Sequence, residues 1–332
     1  MIFFPAILHS VFGFVIFLQN QNNIKTISDS DMRKAIVFSI IVCLASWAAF
    51  AAAYWGLGLS KQSVGLNLFS VFYMFMPLLT ALVLQAVHKE KFNHTGLVSF
   101  NLSWAWLVAW LLPVFMVAAC IFVNGLMPGV TLEYNAEQLI NQMNVPEEQQ
   151  ELVREQIGKM PAAMMIVMVL FSGLIAGITV NAVAAFGEEF GWRNYLVGAL
   201  RNVKFAKAAL FIGVVWGIWH FPLILMGHNY PDNPQWGVPM MVAMCILLGV
   251  IELYFVLKAK SMIVAAIMHG TVNAVAGAYI YFTYGGNSLL NGFAGLSGFI
   301  VMAFAILCIR LYDKHISKDN ICSMTLGEAL ER

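Results

Sequence analysis

The chain has 332 residues, of which 61% are hydrophobic and 11% charged. Soluble globular domains carry about 25% charged residues, so this composition excludes an ordinary soluble enzyme and a solvated, disordered chain. The formal net charge of +1, with no basic low-complexity tract, gives no reason to expect a nucleic-acid partner.

Apolar runs of eighteen residues or more recur along the whole length. They predict an all-α fold, a polytopic transmembrane helical bundle. Residues 2–18 are apolar, but no Lys or Arg precedes them, which weakens a secretory-signal reading. An extra N-terminal helix is left open there. Residues 19–34 are polar. Core spans are expected at about 35–57, 67–86, 104–127, 161–186, 208–226, 240–257, 262–282 and 294–311, about eight in all. This divides the chain into an N-terminal segment and linker (1–34), N-terminal spans (35–127), an acidic loop (128–160), a core (161–285), and a last span with its tail (286–332).

Lys and Arg are then counted on alternate loops. One side holds Lys25, Arg33, Lys34, Lys89, Lys91, Arg193, Arg201, Lys204, Lys207, Lys258, Lys260, Arg310, Lys314, Lys318 and Arg332. The other holds Lys61, Arg154 and Lys159. The asymmetry places the C-terminus in the cytoplasm. A multi-pass protein of a prokaryotic cell membrane is expected, with the lipid bilayer as its first partner. Loop 128–160 is then extracytoplasmic, and Pro146-Glu147-Glu148 predicts a short surface helix. The cysteines, Cys43, Cys120, Cys245, Cys308 and Cys322, form no C-x-x-C pair and read as small hydrophobes.

The candidate chemistry lies in three places. Glu188 and Glu189 end a long apolar run, with Arg193 four residues on. An ionisable group at membrane depth costs about 2.5–3.5 kcal/mol on insertion scales and marks a functional site by default. Helical neighbours project about 100° apart. Glu188 is therefore expected to face a cavity as a base, while Glu189 and Arg193 share a face as a supporting pair. His220 lies in a Trp216-x-x-x-His220 stretch, and Pro222 leaves the Ile218 carbonyl without its helical donor. His269 and Asn273 lie one turn apart on one face, where both could donate to an oxyanion. At 1.5 Å per residue, His269 is roughly 13 Å from Lys260 and His220 roughly 20 Å from Lys207. Glu188 reaches a similar depth if its helix runs on past Arg193 toward Arg201.

These motifs, Glu188-Glu189-x-x-x-Arg193, Trp216-x-x-x-His220 and His269-x-x-x-Asn273, in that order, resemble those of the CPBP family, the CAAX-protease and bacteriocin-processing (ABI) family. The resemblance covers about residues 160–285. Trp216 stands where the family often has Phe, and Lys258-Ala259-Lys260-Ser261 follows Tyr254 where a Tyr-x-x-Thr-Gly-Ser-like turn is often found. It implies an intramembrane endopeptidase acting on a membrane-associated peptide or protein, with a site opening to the cytoplasmic side. Glu188 and His220 would activate a water, His269 and Asn273 would hold the oxyanion, and Glu189, Arg193 and Trp216 would support them. A zinc ion, if the family's chemistry uses one, would take Glu188, His220 and His269; H-E-x-x-H is absent, and a metal-independent water is the favoured reading. A proton- or ion-coupled transporter and a non-catalytic immunity-type membrane protein are the competing readings. The lack of an internal repeat counts against the first, and retention of all six motif residues against the second.

Overall fold

A computed structural model describes residues 29–58, 64–134, 140, 147–158 and 160–332. The apolar segment 2–18, Lys25, Lys61, Pro146 and Lys159 lie outside these. The described chain is a helical bundle with one two-stranded ribbon. Its helices are α1 (Asp29–Ala51), α2 (Val64–Met74), α3 (Met76–Val87), α4 (Trp104–Asn124), α5 (Glu147–Gly158), α6 (Ala162–Ile178), α7 (Val180–Glu189), α8 (Leu196–Ala199), α9 (Phe205–Trp219), α10 (Phe221–Leu225), α11 (Pro234–Ala259), α12 (Ile263–Val275), α13 (Leu296–Leu311) and α14 (Leu326–Glu331). Strands β1 (Val130–Leu132) and β2 (Thr283–Gly285) pair antiparallel.

Among the described residues, six helices are long and apolar enough to cross a membrane. The pair Ala163–Ile178 and Val180–Ala199, bent by 51° at Thr179, makes a seventh if it is one broken span. The eighth expected span corresponds to α9, which is only 15 residues long. It breaks at His220 and continues in α10, because proline at 222 cannot supply the next helical donor. The acidic loop forms the short helix α5 expected after Pro146.

Loop contacts fall into two sets, one at each end of the bundle. At one end Lys34 bonds Glu90, Ser99 bonds the Lys260 carbonyl, Lys258 bonds Asp319, and Lys204 bridges Thr325. At the other, β1 pairs with β2, Asn124 accepts from Ser297 Oγ at 2.5 Å, and Tyr230 Oη donates to the Ala294 carbonyl at 2.6 Å. Thirteen of the described Lys and Arg residues belong to the first end, from Arg33 to Arg332, and Arg154 belongs to the second. Arg193, counted above with the first end, is instead fully buried in the bundle.

Helix α11 is the central post. Apolar residues surround it on every side, so it is buried rather than one-faced. Lipid tails are as apolar as leucine, so helices associate here by close packing rather than by escape from water. Small residues permit that packing. A Cβ on Gly217 of α9 would lie 2.4 Å from the Val242 Cα of α11. One on Gly270 of α12 would lie 2.6 Å from the Gly177 carbonyl oxygen of α6. Large apolar side chains on the outer helices, among them Leu107, Phe115, Phe171 and Phe304, are exposed and suited to lipid.

Candidate active site

The Glu188 segment is helical up to Glu189, then winds as a π-helix over Phe190–Tyr195 and regains α geometry in α8. The helix thus runs on past Arg193, as the depth argument required. A π turn is uncommon and often marks a functional site. Glu188 and Glu189 diverge as neighbouring helical residues must. Glu188 lines a cavity of about 610 Å³ and accepts a hydrogen bond from Trp216 Nε1 at 2.7 Å. Glu189 is fully buried and turned away from that cavity.

Glu189 Oε1 accepts from Arg193 Nη1 at 3.0 Å and from His269 Nδ1 at 2.9 Å. Arg193 Nη2 also donates to Glu252 of α11, and its guanidinium carbon stands 4.3 Å from the Trp216 ring centroid. One guanidinium therefore ties three helices together. Glu252 is the participant that the sequence motifs did not assign. Its signal was a lone carboxylate inside an apolar helix, which demands a partner.

His220 owes its orientation to the break between α9 and α10. Its backbone N–H bonds the Gly217 carbonyl at 3.3 Å, three residues back. The Trp216 carbonyl, four residues back, accepts from the ring Nδ1 instead, at 2.8 Å. This tautomer leaves Nε2 with a lone pair. Nearby, Tyr73 Oη and Trp47 Nε1 donate to the Trp219 carbonyl at 2.8 and 3.1 Å. Side chains from α1 and α2 thus satisfy backbone at the break, which lipid could not do.

His269 stacks edge-on against Trp216, with ring centroids 5.2 Å apart. His220, His269 and Asn273 all line the Glu188 cavity, and Asn273, one turn beyond His269, is exposed to it. The structure therefore brings Glu188, His220, His269, Asn273 and Trp216 around one space, with Glu189 and Arg193 packed behind.

Glu188, His220 and His269 are not a convergent donor set. Among the described residues, the metal-ligating atoms within 4.8 Å of one another are those of Glu189, Glu252 and His269. The Arg193 guanidinium already holds both of those carboxylates. A cation added there would meet that positive charge at contact distance. The residues do not fit the zinc site that Glu188, His220 and His269 would have made, and no step below passes through a metal.

The rim of the cavity is formed by Gly227, His228, Asn229 and Pro231, after α10, and Asn291–Ala294, before α13. It lies at the end of the bundle opposite the Lys/Arg-rich loops.

Residues 163–275 match the family described as type II CAAX prenyl endopeptidase Rce1-like. Both matches bear out the CPBP resemblance. The second is to CAAX prenyl protease 2 of Methanococcus maripaludis, 33% identical over 97 residues, which is 27% of this chain. The matched stretch covers 35% of that relative's length. The family match includes every motif residue from Glu188 to Asn273 and Glu252 as well. Helix α2, whose Ser70, Tyr73 and Met74 line one side of the cavity, lies outside that match.

Proposed function

We propose that this protein is an intramembrane endopeptidase that hydrolyses a peptide bond of a membrane-associated peptide or protein. The observation that carries this reading is the shared cavity: one carboxylate, two imidazoles and a carboxamide around a space large enough for a peptide segment and a water. The CAAX-protease matches support the reaction class.

The Glu188 carboxylate takes a proton from a water held between it and His220 Nε2. The oxygen attacks the scissile carbonyl. His269 and Asn273 donate to the oxyanion that forms, and donors preorganised where charge develops are usually the largest single contribution to such catalysis. Collapse breaks the C–N bond, and the Glu188 carboxyl returns the proton to the leaving amine. Water is consumed, and one acid and one amine are released.

For His269 to donate into the cavity, its Nε2 must carry a proton while Nδ1–H serves Glu189. Arg193 offers one positive charge to two carboxylates, Glu189 and Glu252. An imidazolium at His269 balances the second. The buried cluster is thus a device for holding a doubly donating histidine, and Trp216 Nε1 fixes Glu188 across the same space. A transporter would have to move its substrate or proton past this cluster, which is fully buried. The test is cleavage of a membrane-peptide library by the purified, reconstituted chain. Wild-type activity that is lost in Glu188→Gln supports the reading, and no cleavage by any preparation would reject it.

A further inference from the structure

Glu188 and His220 can share one water only if the distance between them is held, and neither of their helices holds it alone. Glu188 lies near the end of α7, whereas His220 sits at the break between α9 and α10. Both segments meet α2.

The first meeting is backbone against backbone. A Cβ on Gly187, the residue before Glu188, would lie 2.7 Å from the Met74 carbonyl oxygen and 2.9 Å from the Phe75 Cα. Glycine at 187 therefore lets α7 rest directly on the junction of α2 and α3. The second meeting is through a side chain. Tyr73, next to Met74, is fully buried, and its hydroxyl donates to the Trp219 carbonyl at 2.8 Å. The Tyr73 ring lies 4.4 Å from the Trp219 ring, which stands edge-on to the His220 ring at 4.8 Å. Helix α1 completes the hold. Trp47 Nε1 donates to the same carbonyl at 3.1 Å, and Trp219 Nε1 donates to the buried Ser46 Oγ at 2.8 Å.

At the break the His220 peptide has lost the regular helical bonds that would fix its direction. The carbonyl of that peptide unit belongs to Trp219, and the donors from α1 and α2 grip it. Tyr73 also lines the Glu188 cavity, so the grip lies beside the reacting groups. Ser46, Trp47 and Tyr73 are all outside the family-matched residues 163–275. The matched core thus takes this restraint from the N-terminal helices.

We propose that Tyr73 is a positioning residue for the hydrolysis: it ties the Trp219–His220 break to the surface on which α7 rests, and so sets how far His220 Nε2 stands from the Glu188 carboxylate. This role rests on the endopeptidase reading. The Tyr73 hydroxyl proton is already given to the Trp219 carbonyl, so Tyr73 acts through His220 rather than on the substrate. A misplacement of about 1 Å can cost ~10²-fold in rate, which makes one hydroxyl at this point worth testing.

The test uses the purified, reconstituted full-length chain and a membrane peptide that the wild type cleaves. Tyr73→Phe keeps the ring and removes the donor. Its kcat should fall by roughly 10- to 10²-fold, while KM should change by less than about twofold, since ground-state binding is untouched. In a His220→Ala background the same change should cost less than about twofold, because groups acting as one unit are non-additive. If Tyr73→Phe does not accumulate, Trp47→Phe, which removes the other donor, carries the same comparison. A wild-type kcat in Tyr73→Phe would overturn the proposal. So would an equal loss in both backgrounds, which would mark a merely structural role. Amide hydrogen exchange over residues 216–224 is measured beside it and should be faster in Tyr73→Phe. Unaltered exchange there would also overturn the proposal. Absence of any wild-type cleavage would sink the endopeptidase reading, while faster exchange would still support the hold on His220.

Discussion

His269 and Arg193 meet on the same oxygen, Glu189 Oε1, at 2.9 and 3.0 Å. A side chain with no place in the cavity thereby sets the orientation of one that lines it. Removing one partner of a buried ion pair leaves an uncompensated charge and costs about 3–5 kcal/mol. Glu189→Gln should therefore lower the thermal unfolding temperature of the detergent-purified protein and also slow turnover. An unchanged unfolding temperature would mean that the Glu189 contacts contribute nothing to stability.

Glu252 should couple to Arg193 although the two are 59 positions apart in the chain. Residues sharing an ion-pair network show interaction energies of about 0.5–3 kcal/mol. In a double-mutant cycle, Arg193→Met combined with Glu252→Gln should destabilise less than the two single changes added together. Strict additivity would show that Glu252 lies in a separate environment.

Gly270 follows His269 directly, and any side chain there would press on backbone. A Cβ would meet the Gly177 carbonyl oxygen at 2.6 Å and the Ala182 nitrogen at 2.7 Å. Backbone cannot swing aside as a side-chain tip can, so Gly270→Ala should cost at least the ~1–3 kcal/mol typical of overpacking. The displaced helix should carry His269 with it. Full activity and stability in Gly270→Ala would contradict the packing described.

Much of the site was legible because helical geometry is local. The 100° step separates Glu188 from Glu189, and a four-residue spacing fixes both Glu189–Arg193 and His269–Asn273. Features that depend on contacts between distant helices were not legible. The Glu252–Arg193 bond crosses from α11 to the π turn after α7, and no spacing within either segment announces it. The π turn itself arises between two stretches that both read as ordinary helix. The rim loops were likewise not legible, because the motifs fix which residues meet, whereas the loops that close over them are this chain's own. The span at 208–226 was expected from apolar length, yet α9 stops at Trp219, because Pro222 has no N–H to offer and the His220 ring takes the Trp216 carbonyl that a backbone N–H would have bonded.

Activity should survive exhaustive chelation. The convergent carboxylates, Glu189 and Glu252, are occupied by Arg193, so a divalent ion has no open donor set among them. Purified protein should retain full peptide cleavage after dialysis against a chelator and contain well under one zinc per chain. Loss of activity restored by one equivalent of zinc would require a rearranged site.

The most direct test is a double-mutant comparison at Glu188 and His220, which line one cavity from two helices. If both act on one water, each single change disables the same step. Glu188→Gln keeps shape and should leave the protein folded, while activity falls by the ~10²–10⁴ that a positioned base supplies. His220→Ala should fall as far, and the double variant should be little worse than either, since groups acting as a unit are strongly non-additive. Near-normal turnover in Glu188→Gln, or losses that multiply in the double variant, would contradict a shared water and with it the proposed chemistry.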